Sequence, residues 1–210
     1  MEWKGVGATA VIFLTISASL AAETPSKSTL AVRIYNNAGV SEDDLRLATL
    51  EAETILRSAG LTASWTECWY KDKESARATE HCRQPLETNT LTLRLLHAAS
   101  VPQTRAVSMG YSLVNLEDRA PFFATVYSDL VNSVALGARV DPRPILGRAI
   151  AHEIGHLLLN ANRHADAGLM RETWTRFELQ KNDPADWEFR SQETAVMRAA
   201  VAARVSLASR

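Results

Sequence analysis

The sequence predicts an α+β domain in which a mixed, twisted sheet of five strands is combined with two long helices and a C-terminal helix. Five short segments are rich in apolar, β-branched or aromatic residues, several of them alternating with polar ones, which is typical of strands. Two longer segments repeat apolar residues at helical spacing, and a third is rich in alanine. The order strand, helix, four strands, helix, irregular loop, helix indicates one layered α/β arrangement.

The first strand and the first helix have clear signals. Residues Leu30 to Tyr35 alternate apolar and polar side chains, as a strand with one buried face does. After a turn, Ser41 precedes Asp44 by three residues, which is typical of a helix N-terminus. Apolar residues then recur at helical spacing as far as Gly60, which predicts the end of this helix.

The remaining elements follow in the same way. Four further strands are predicted at residues 61–65, 91–96, 110–114 and 124–131. After Asp141 and two prolines, a second long helix is predicted, with Ile150, Ile154 and Leu157 on one face. Residues 191–206 predict the last helix.

Composition limits the class of protein. Of the 210 residues, 46% are hydrophobic, which excludes a disordered chain. The 23 Lys and Arg residues balance 24 Asp and Glu residues, so no excess of positive charge is present for a nucleic-acid partner. One domain is expected, spanning residues 30–210 after a flexible lead-in at residues 23–29.

The first 22 residues have the pattern of a secretory signal peptide. Lys4 supplies a positive charge, residues 11–16 are the centre of an apolar stretch, and small residues follow before Ala21 and Ala22, where we expect cleavage. The alternative is an uncleaved membrane anchor, although polar residues interrupt this stretch, which has about the minimum spanning length. We therefore expect a secreted or periplasmic protein whose mature form has no membrane segment.

Export also bears on the two cysteines. In an oxidising compartment, Cys68 and Cys82 can pair and close a short polar loop. Two free thiols are the alternative. A thiolate metal site is disfavoured because the chain has no pair of cysteines at C-x-x-C spacing.

The segment from His152 to His156 carries the strongest chemical signal. Two histidines four residues apart on a helix point to the same side, so that their imidazoles can share one zinc ion. Glu153 lies beside them and can reach a metal-activated water without being a ligand. The surrounding helix is apolar, and burying two ordinary histidines there without partners would be unfavourable.

A hydrolytic zinc site needs a third protein ligand and one open position. His164 is the nearest candidate and has the same donor type as the other two, provided that the helix stops near Leu159. Asn160 and Asn162 both tolerate the left-handed conformation of such a stop. Carboxylate alternatives follow further along the chain, at Asp166, Glu172, Glu178, Glu188 and Glu193.

The segment from His152 to Met170 resembles the metzincin clan of zinc metalloproteases, and its matrixin-like members in particular. Their pattern is H-E-x-x-H-x-x-G-x-x-H followed by a methionine turn. The resemblance implies a zincin-type fold over most of residues 30–175, with His152, His156 and His164 as zinc ligands. It further implies that Glu153 is the general base and that Met170 lies under the metal.

The spacing departs from the matrixin pattern. His164 follows His156 by eight residues instead of six, Leu159 stands at the glycine position, and the distance along the chain to Met170 is short. Asn160 is the candidate for replacing the glycine. A longer first loop and a shorter second loop compensate for one another. Together, these departures from the pattern indicate a divergent group of secreted bacterial proteins.

The expected activity is that of a secreted zinc-dependent endopeptidase, in which Glu153 takes a proton from the metal-activated water and passes it to the leaving amine. By resemblance, the peptide or protein substrate would lie along an edge strand at residues 110–114. Tyr111 and Tyr127 are candidates for lining the cleft, whereas Trp174 is expected to pack under the loop. His81 and His97 receive no role.

Two other functions remain open at this point. The same site could serve a zinc hydrolase that acts on a non-protein amide or a cell-wall peptide. A binding module that keeps zinc as a structural element is the third possibility, although such a module does not require Glu153.

Overall fold

The structure is a computed structural model that describes residues 29–68, 82–87, 90–100, 108–114 and 123–208. The predicted signal peptide, nearly all of the lead-in and the loop that ends at His81 lie outside these residues. None of the helices in the described ranges is long and apolar enough to cross a membrane.

The predicted sheet of five strands is confirmed. Its strands run in the spatial order β2-β1-β3-β5-β4, and β4 is antiparallel to β5 while the other pairs are parallel. The predicted strand at residues 110–114 is therefore an edge strand. The bounds are β1 Thr29–Asn36, β2 Thr62–Cys68, β3 Thr90–Leu96, β4 Gly110–Leu113 and β5 Phe123–Tyr127.

Helices surround this sheet. The two long helices and the C-terminal helix occur where the sequence predicts them, and the described part of the chain adds shorter helices at residues 128–138 and 176–181. The bounds are α1 Glu42–Ser58, α2 Ser128–Ala138, α3 Pro142–Leu159, α4 Arg176–Lys181 and α5 Ser191–Ala208, with short 3₁₀ turns at Ala98–Ser100 and Pro184–Trp187.

The prediction of a strand over residues 124–131 is wrong in its second half. The strand ends at Tyr127, and α2 begins at Ser128. Asp129 in the first helical turn accepts hydrogen bonds from the main-chain N–H of Ala98 at 2.8 Å and 3.0 Å. Val131 and the small residues that follow it at helical spacing are buried. Residues 124–131 are rich in β-branched and aromatic residues, which favour strands, so their composition did not indicate the change from strand to helix.

The short helix α4 was also missed. It begins at Thr175, whose hydroxyl accepts from the main-chain N–H of Glu178, while the Glu178 carboxylate accepts from the Thr175 N–H at 2.7 Å. This capping box starts a helix of only six residues. So short a segment carries little periodic signal.

The long helices α1 and α3 pack closely against one another. At the crossing, a Cβ atom on Gly147 would collide with the main-chain oxygen of Ala48, so only glycine permits this approach. Helix α3 is buried from Ile145 to Leu158 and also contacts β4 and β5. Its middle, residues 152–156, is thereby held inside the molecule beside the edge strand.

The predicted disulfide is present. Cys68, at the end of β2, is bonded to Cys82, with a Cα–Cα distance of 5.8 Å. The Tyr35 hydroxyl in the neighbouring strand also donates to the main-chain oxygen of Cys82 at 3.4 Å. The bridge therefore attaches the segment that follows the loop to the sheet.

Candidate metal centre

The two helical histidines face each other across one turn of α3. The Nε2 atoms of His152 and His156 lie 3.0 Å apart. Each Nδ1 atom contacts a main-chain oxygen, at 2.9 Å from Leu169 for His152 and at 2.8 Å from Ala161 for His156. Because a carbonyl oxygen only accepts, both Nδ1 atoms carry the proton, which leaves the two facing Nε2 atoms unprotonated.

Two unprotonated nitrogens at this distance cannot form a hydrogen bond with each other. Their lone pairs repel unless a cation lies between them, and neutral imidazole nitrogen is a preferred donor for zinc. The carbonyl partners of Nδ1 also orient both rings, as partners of metal-binding histidines do. These residues therefore fit a divalent metal ion of the zinc type.

The third histidine reaches the pair because the helix ends where predicted. Asn160 adopts the left-handed conformation, with φ 50° and ψ 44°, and ends α3. The chain turns back and brings the ring centroid of His164 to 5.3 Å from that of His152 and 4.9 Å from that of His156. The candidate ligand nitrogens of the three residues all lie within 4.8 Å of one another.

Within the described ranges, this is the one group of three or more histidine, cysteine or carboxylate residues that could hold a metal ion. The carboxylate alternatives are not part of it, and two of them have other partners. Glu178 belongs to the capping box of α4 and pairs with Arg171. Glu193 accepts from the main-chain N–H of Arg190 at 2.8 Å. The geometry favours His164 as the third ligand.

Burial keeps the helical imidazoles neutral. His152 is 8% exposed and His156 is 5% exposed. Burial lowers the pKa of His152 to about 3, with a further contribution from neighbouring His156, and burial also lowers the pKa of His156. Both side chains are therefore in the form that binds metal at neutral pH. His164 is exposed, so the group opens to solvent on its side.

The side chain of Glu153 extends from α3 to the edge strand β4. It is 5% exposed, and its Oε2 atom lies 2.6 Å from the Ser112 Oγ atom. Burial raises the pKa of Glu153 to about 7, against the opposing effect of the Ser112 hydrogen bond. A carboxyl group with a pKa near neutrality can both accept and return a proton in that range.

Met170 packs beneath the middle of α3. Its side chain is buried, and its Sδ atom is 2.6 Å from the position that a Cβ atom would take on Gly155, between the two histidines. The loop is held by a hydrogen bond from the Ala165 N–H to the Met170 oxygen at 2.8 Å. Gly168 supports the turn with φ 77°.

Trp174 contacts one of the histidines and a second tryptophan. Its ring lies edge-on to His152, with centroids 5.9 Å apart, and edge-on to Trp187 at 5.5 Å. The sequence did not single out Trp187, which is buried and lies under the guanidinium of Arg148 at 4.0 Å. These contacts continue the core from α3 to the segment that precedes α5.

The two candidate tyrosines lie on the other side of the sheet. Ser112 faces Glu153, so Tyr111, its neighbour in β4, points to the opposite face. The ring of Tyr127 is on that face too, 6.1 Å from the ring of Tyr111. Neither is placed to assist at the histidines. His97 is exposed, and His81 lies outside the described residues.

Ser112 is the residue of the site that sequence reasoning missed. The available signal was the spacing of Gly110 and Ser112, two small residues at alternate positions of a predicted strand. That signal is weak because small residues are common near strand ends. It becomes informative only when the strand is known to lie beside Glu153.

The five-stranded sheet, the long helix with the two histidines and the loop that returns the third together define an α+β fold of the zincin type. Among solved structures, it is similar to archaemetzincin from Methanopyrus kandleri, with a TM-score of 0.53 and 14% identity over 85% of this chain and 99% of that chain. This similarity confirms the predicted metzincin-like fold. Because the sequence identity is only 14%, it shows the fold and nothing more.

Metalloproteinase-II from Bacteroides fragilis is also similar, with a TM-score of 0.49 and 15% identity over 83% of this chain and 53% of that chain. The sequence matches no protein-family model and no curated protein. The matrixin-like assignment therefore stays a prediction, and the roles of individual residues depend on the geometry of the site.

Proposed function

We propose that this chain is a secreted zinc-dependent endopeptidase. The observation that carries the proposal is the 3.0 Å approach of the Nε2 atoms of His152 and His156, joined by exposed His164 and by the buried carboxyl group of Glu153. Zinc bound by the three histidines would supply a Lewis acid that polarises the scissile carbonyl and makes water nucleophilic at neutral pH.

Glu153 is the proposed general base. Its Oε2 atom is engaged by Ser112, and Oε1 has no hydrogen-bond partner among the described residues. Oε1 is therefore the atom that accepts the proton from the attacking water and returns it to the leaving amine. The protonated Nδ1 atoms keep the helical imidazoles in one tautomer and one orientation throughout.

The edge strand supports a peptide substrate. The Tyr127 N–H donates to the Met109 oxygen at 2.8 Å, so in the antiparallel register the main-chain groups of residues 109, 111 and 113 face β5. Those of Gly110 and Ser112 face the outer edge, where the described residues place no further strand. An extended peptide can pair there and lie next to Glu153.

Metal analysis combined with hydrolysis of casein tests the proposal. The purified protein is expected to hold one zinc ion per chain, to cleave casein, and to lose cleavage with a chelator until zinc is restored. Glu153→Gln is expected to keep the zinc and to lose at least about 100-fold in rate. A protein with full zinc content that cleaves no polypeptide would favour a hydrolase of another amide or a binding module.

Secretion is part of the proposal and has its own support. The disulfide between Cys68 and Cys82 is of a kind that persists in oxidising compartments. N-terminal sequencing of the exported protein is expected to begin after Ala21 or Ala22. Recovery of the full-length chain from the membrane fraction would instead indicate the uncleaved anchor.

A further inference from the structure

We propose that Ser112 is a positioning residue for the hydrolytic reaction, holding the carboxyl group of Glu153 from within the strand that would receive the substrate. This inference rests on the proposed function. It assigns a role to a residue that neither binds the metal nor reacts with substrate.

The contact between the two side chains is close and sheltered from water. The Ser112 Oγ atom lies 2.6 Å from Oε2 of Glu153 and 2.9 Å from the Glu153 main-chain oxygen. Ser112 is 8% exposed. In the described part of the chain, it is the one residue with a hydrogen bond to this carboxyl group. Removing the hydroxyl would leave a buried carboxyl group without its partner, which is unfavourable.

The contact also limits how Glu153 can rotate. One hydroxyl group bridges the side chain and the main chain of the same residue, so that the carboxyl group is tied back towards its own helix turn. Oε2 is held in this bridge and Oε1 is left for proton transfer. Without the bridge, the carboxyl group could take other rotamers, and fewer molecules would have Oε1 in place at any moment.

The position of Ser112 in the chain adds a second consequence. Its main-chain N–H and C=O face the free edge of β4, while its side chain faces α3. A peptide that pairs with the edge therefore contacts the main chain of the residue that holds the base. Loss of the hydroxyl leaves this main-chain pairing intact, so the expected defect lies in turnover and not in substrate binding.

Kinetics of Ser112→Ala with a peptide substrate test the inference. We expect kcat to fall about tenfold to a hundredfold, KM to change less than twofold, and zinc content to stay at the wild-type level. Ser128→Ala is the matched control, because it removes another buried serine hydroxyl, which donates to the main-chain oxygen of Leu96. It is expected to leave kcat unchanged.

Two further measurements keep the test decisive. Ser112→Cys keeps the shape of the side chain with a slightly larger terminal atom and replaces a strong donor by a weak one, so the same selective loss of kcat is expected if the alanine variant fails to fold. In the metal-free protein, Ser112→Ala is expected to raise the unfolding equilibrium constant about tenfold, and clearly less when Glu153→Ala is already present.

The outcomes separate the two proposals. If the wild type cleaves no peptide, or if Glu153→Gln still does, the proposed function is wrong. If the wild type cleaves and Glu153→Gln does not, but a folded Ser112→Ala or Ser112→Cys variant keeps wild-type kcat, the inference about Ser112 is overturned. Additive effects on unfolding, or a loss of kcat that follows a loss of zinc, would overturn it as well.

Discussion

The carboxyl group of Glu153 occupies the space that a side chain would need at Gly110. A Cβ atom on Gly110 would lie 2.6 Å from Oε1 of Glu153 and 2.8 Å from the main-chain oxygen of Thr125. Real Cβ atoms do not approach other heavy atoms so closely. At Gly110 the edge strand therefore packs directly against the Glu153 carboxyl group of α3, and only glycine fits at this point.

Gly110→Ala should therefore damage the site without removing a functional group. The added methyl must displace either Oε1 or the pairing of β4 with β5, and we expect kcat to fall at least tenfold and stability by about 1–3 kcal/mol. Zinc content should not change, because no histidine is touched. Peptide kinetics and urea unfolding check this prediction, and wild-type kcat in the variant would contradict it.

Much of the fold could be predicted because most segments show either the alternation of a strand or the apolar spacing of a helix, and not both. Strands β1 and β3 alternate regularly, and α1 begins at a serine whose hydroxyl accepts the Asp44 N–H at 3.2 Å. The prediction failed where one period passes directly into another. Tyr127 ends a strand and Ser128 begins a helix with no turn between them, so the composition of β5 was extended into α2.

The residues of the site also fall into two groups: those that local sequence patterns predict and those that only the packing of distant segments brings together. His152 and His156 follow from helix geometry alone, and the return of His164 follows from a helix stop at Asn160. The contact of Glu153 with Ser112 depends on how β4 lies against α3, 41 residues away in the chain. Such long-range packing leaves no periodic trace in one sequence, so neither Gly110 nor Ser112 could be assigned before the structure.

Removal of the third ligand is the sharpest test of the metal centre. His164→Ala leaves two neutral imidazoles on α3, and we expect zinc affinity to fall by more than about 100-fold while the protein stays folded, because His164 is exposed. Isothermal titration with zinc measures the change. His97→Ala, which removes an exposed histidine that is not one of the three candidate ligands, is the control. Unchanged affinity in His164→Ala would return the third position to Asp166 or a downstream glutamate.

The packing of Met170 beneath the histidine helix predicts opposite effects for two glycine substitutions. A Cβ atom on Gly155 would lie 2.6 Å from Met170 Sδ and 2.7 Å from Phe189 Cε1, so Gly155→Ala is expected to destabilise the protein by about 1–3 kcal/mol. Gly137, in α2, has nothing within 4 Å of its Cβ position. Gly137→Ala should therefore stabilise by about 0.5–1 kcal/mol. Equal urea midpoints for the two variants would refute the close contact.

The buried carboxyl group of Glu153 predicts how the stability of the metal-free protein depends on pH. Its pKa is raised from an ordinary value of 4.5 to about 7, so between these values the folded chain binds a proton that the unfolded chain releases. The stabilising contribution of the neutral form is complete below pH 4.5 and is lost as pH rises through 7. The change in pKa corresponds to about 3 kcal/mol.

Glu153→Gln keeps a neutral side chain at every pH and so avoids this loss. In the presence of a chelator, the free energy of unfolding of the variant, minus that of the wild type, should rise by about 3 kcal/mol from pH 4.5 to pH 8. Taking the difference removes titrations that both proteins share, including that of His152, which acts in the opposite direction. Urea unfolding of both proteins at intervals of pH measures this difference in the free energy of unfolding. A difference that stays constant over this range would show that the carboxyl group is solvated, and Oε1 would then have no sheltered position from which to take a proton.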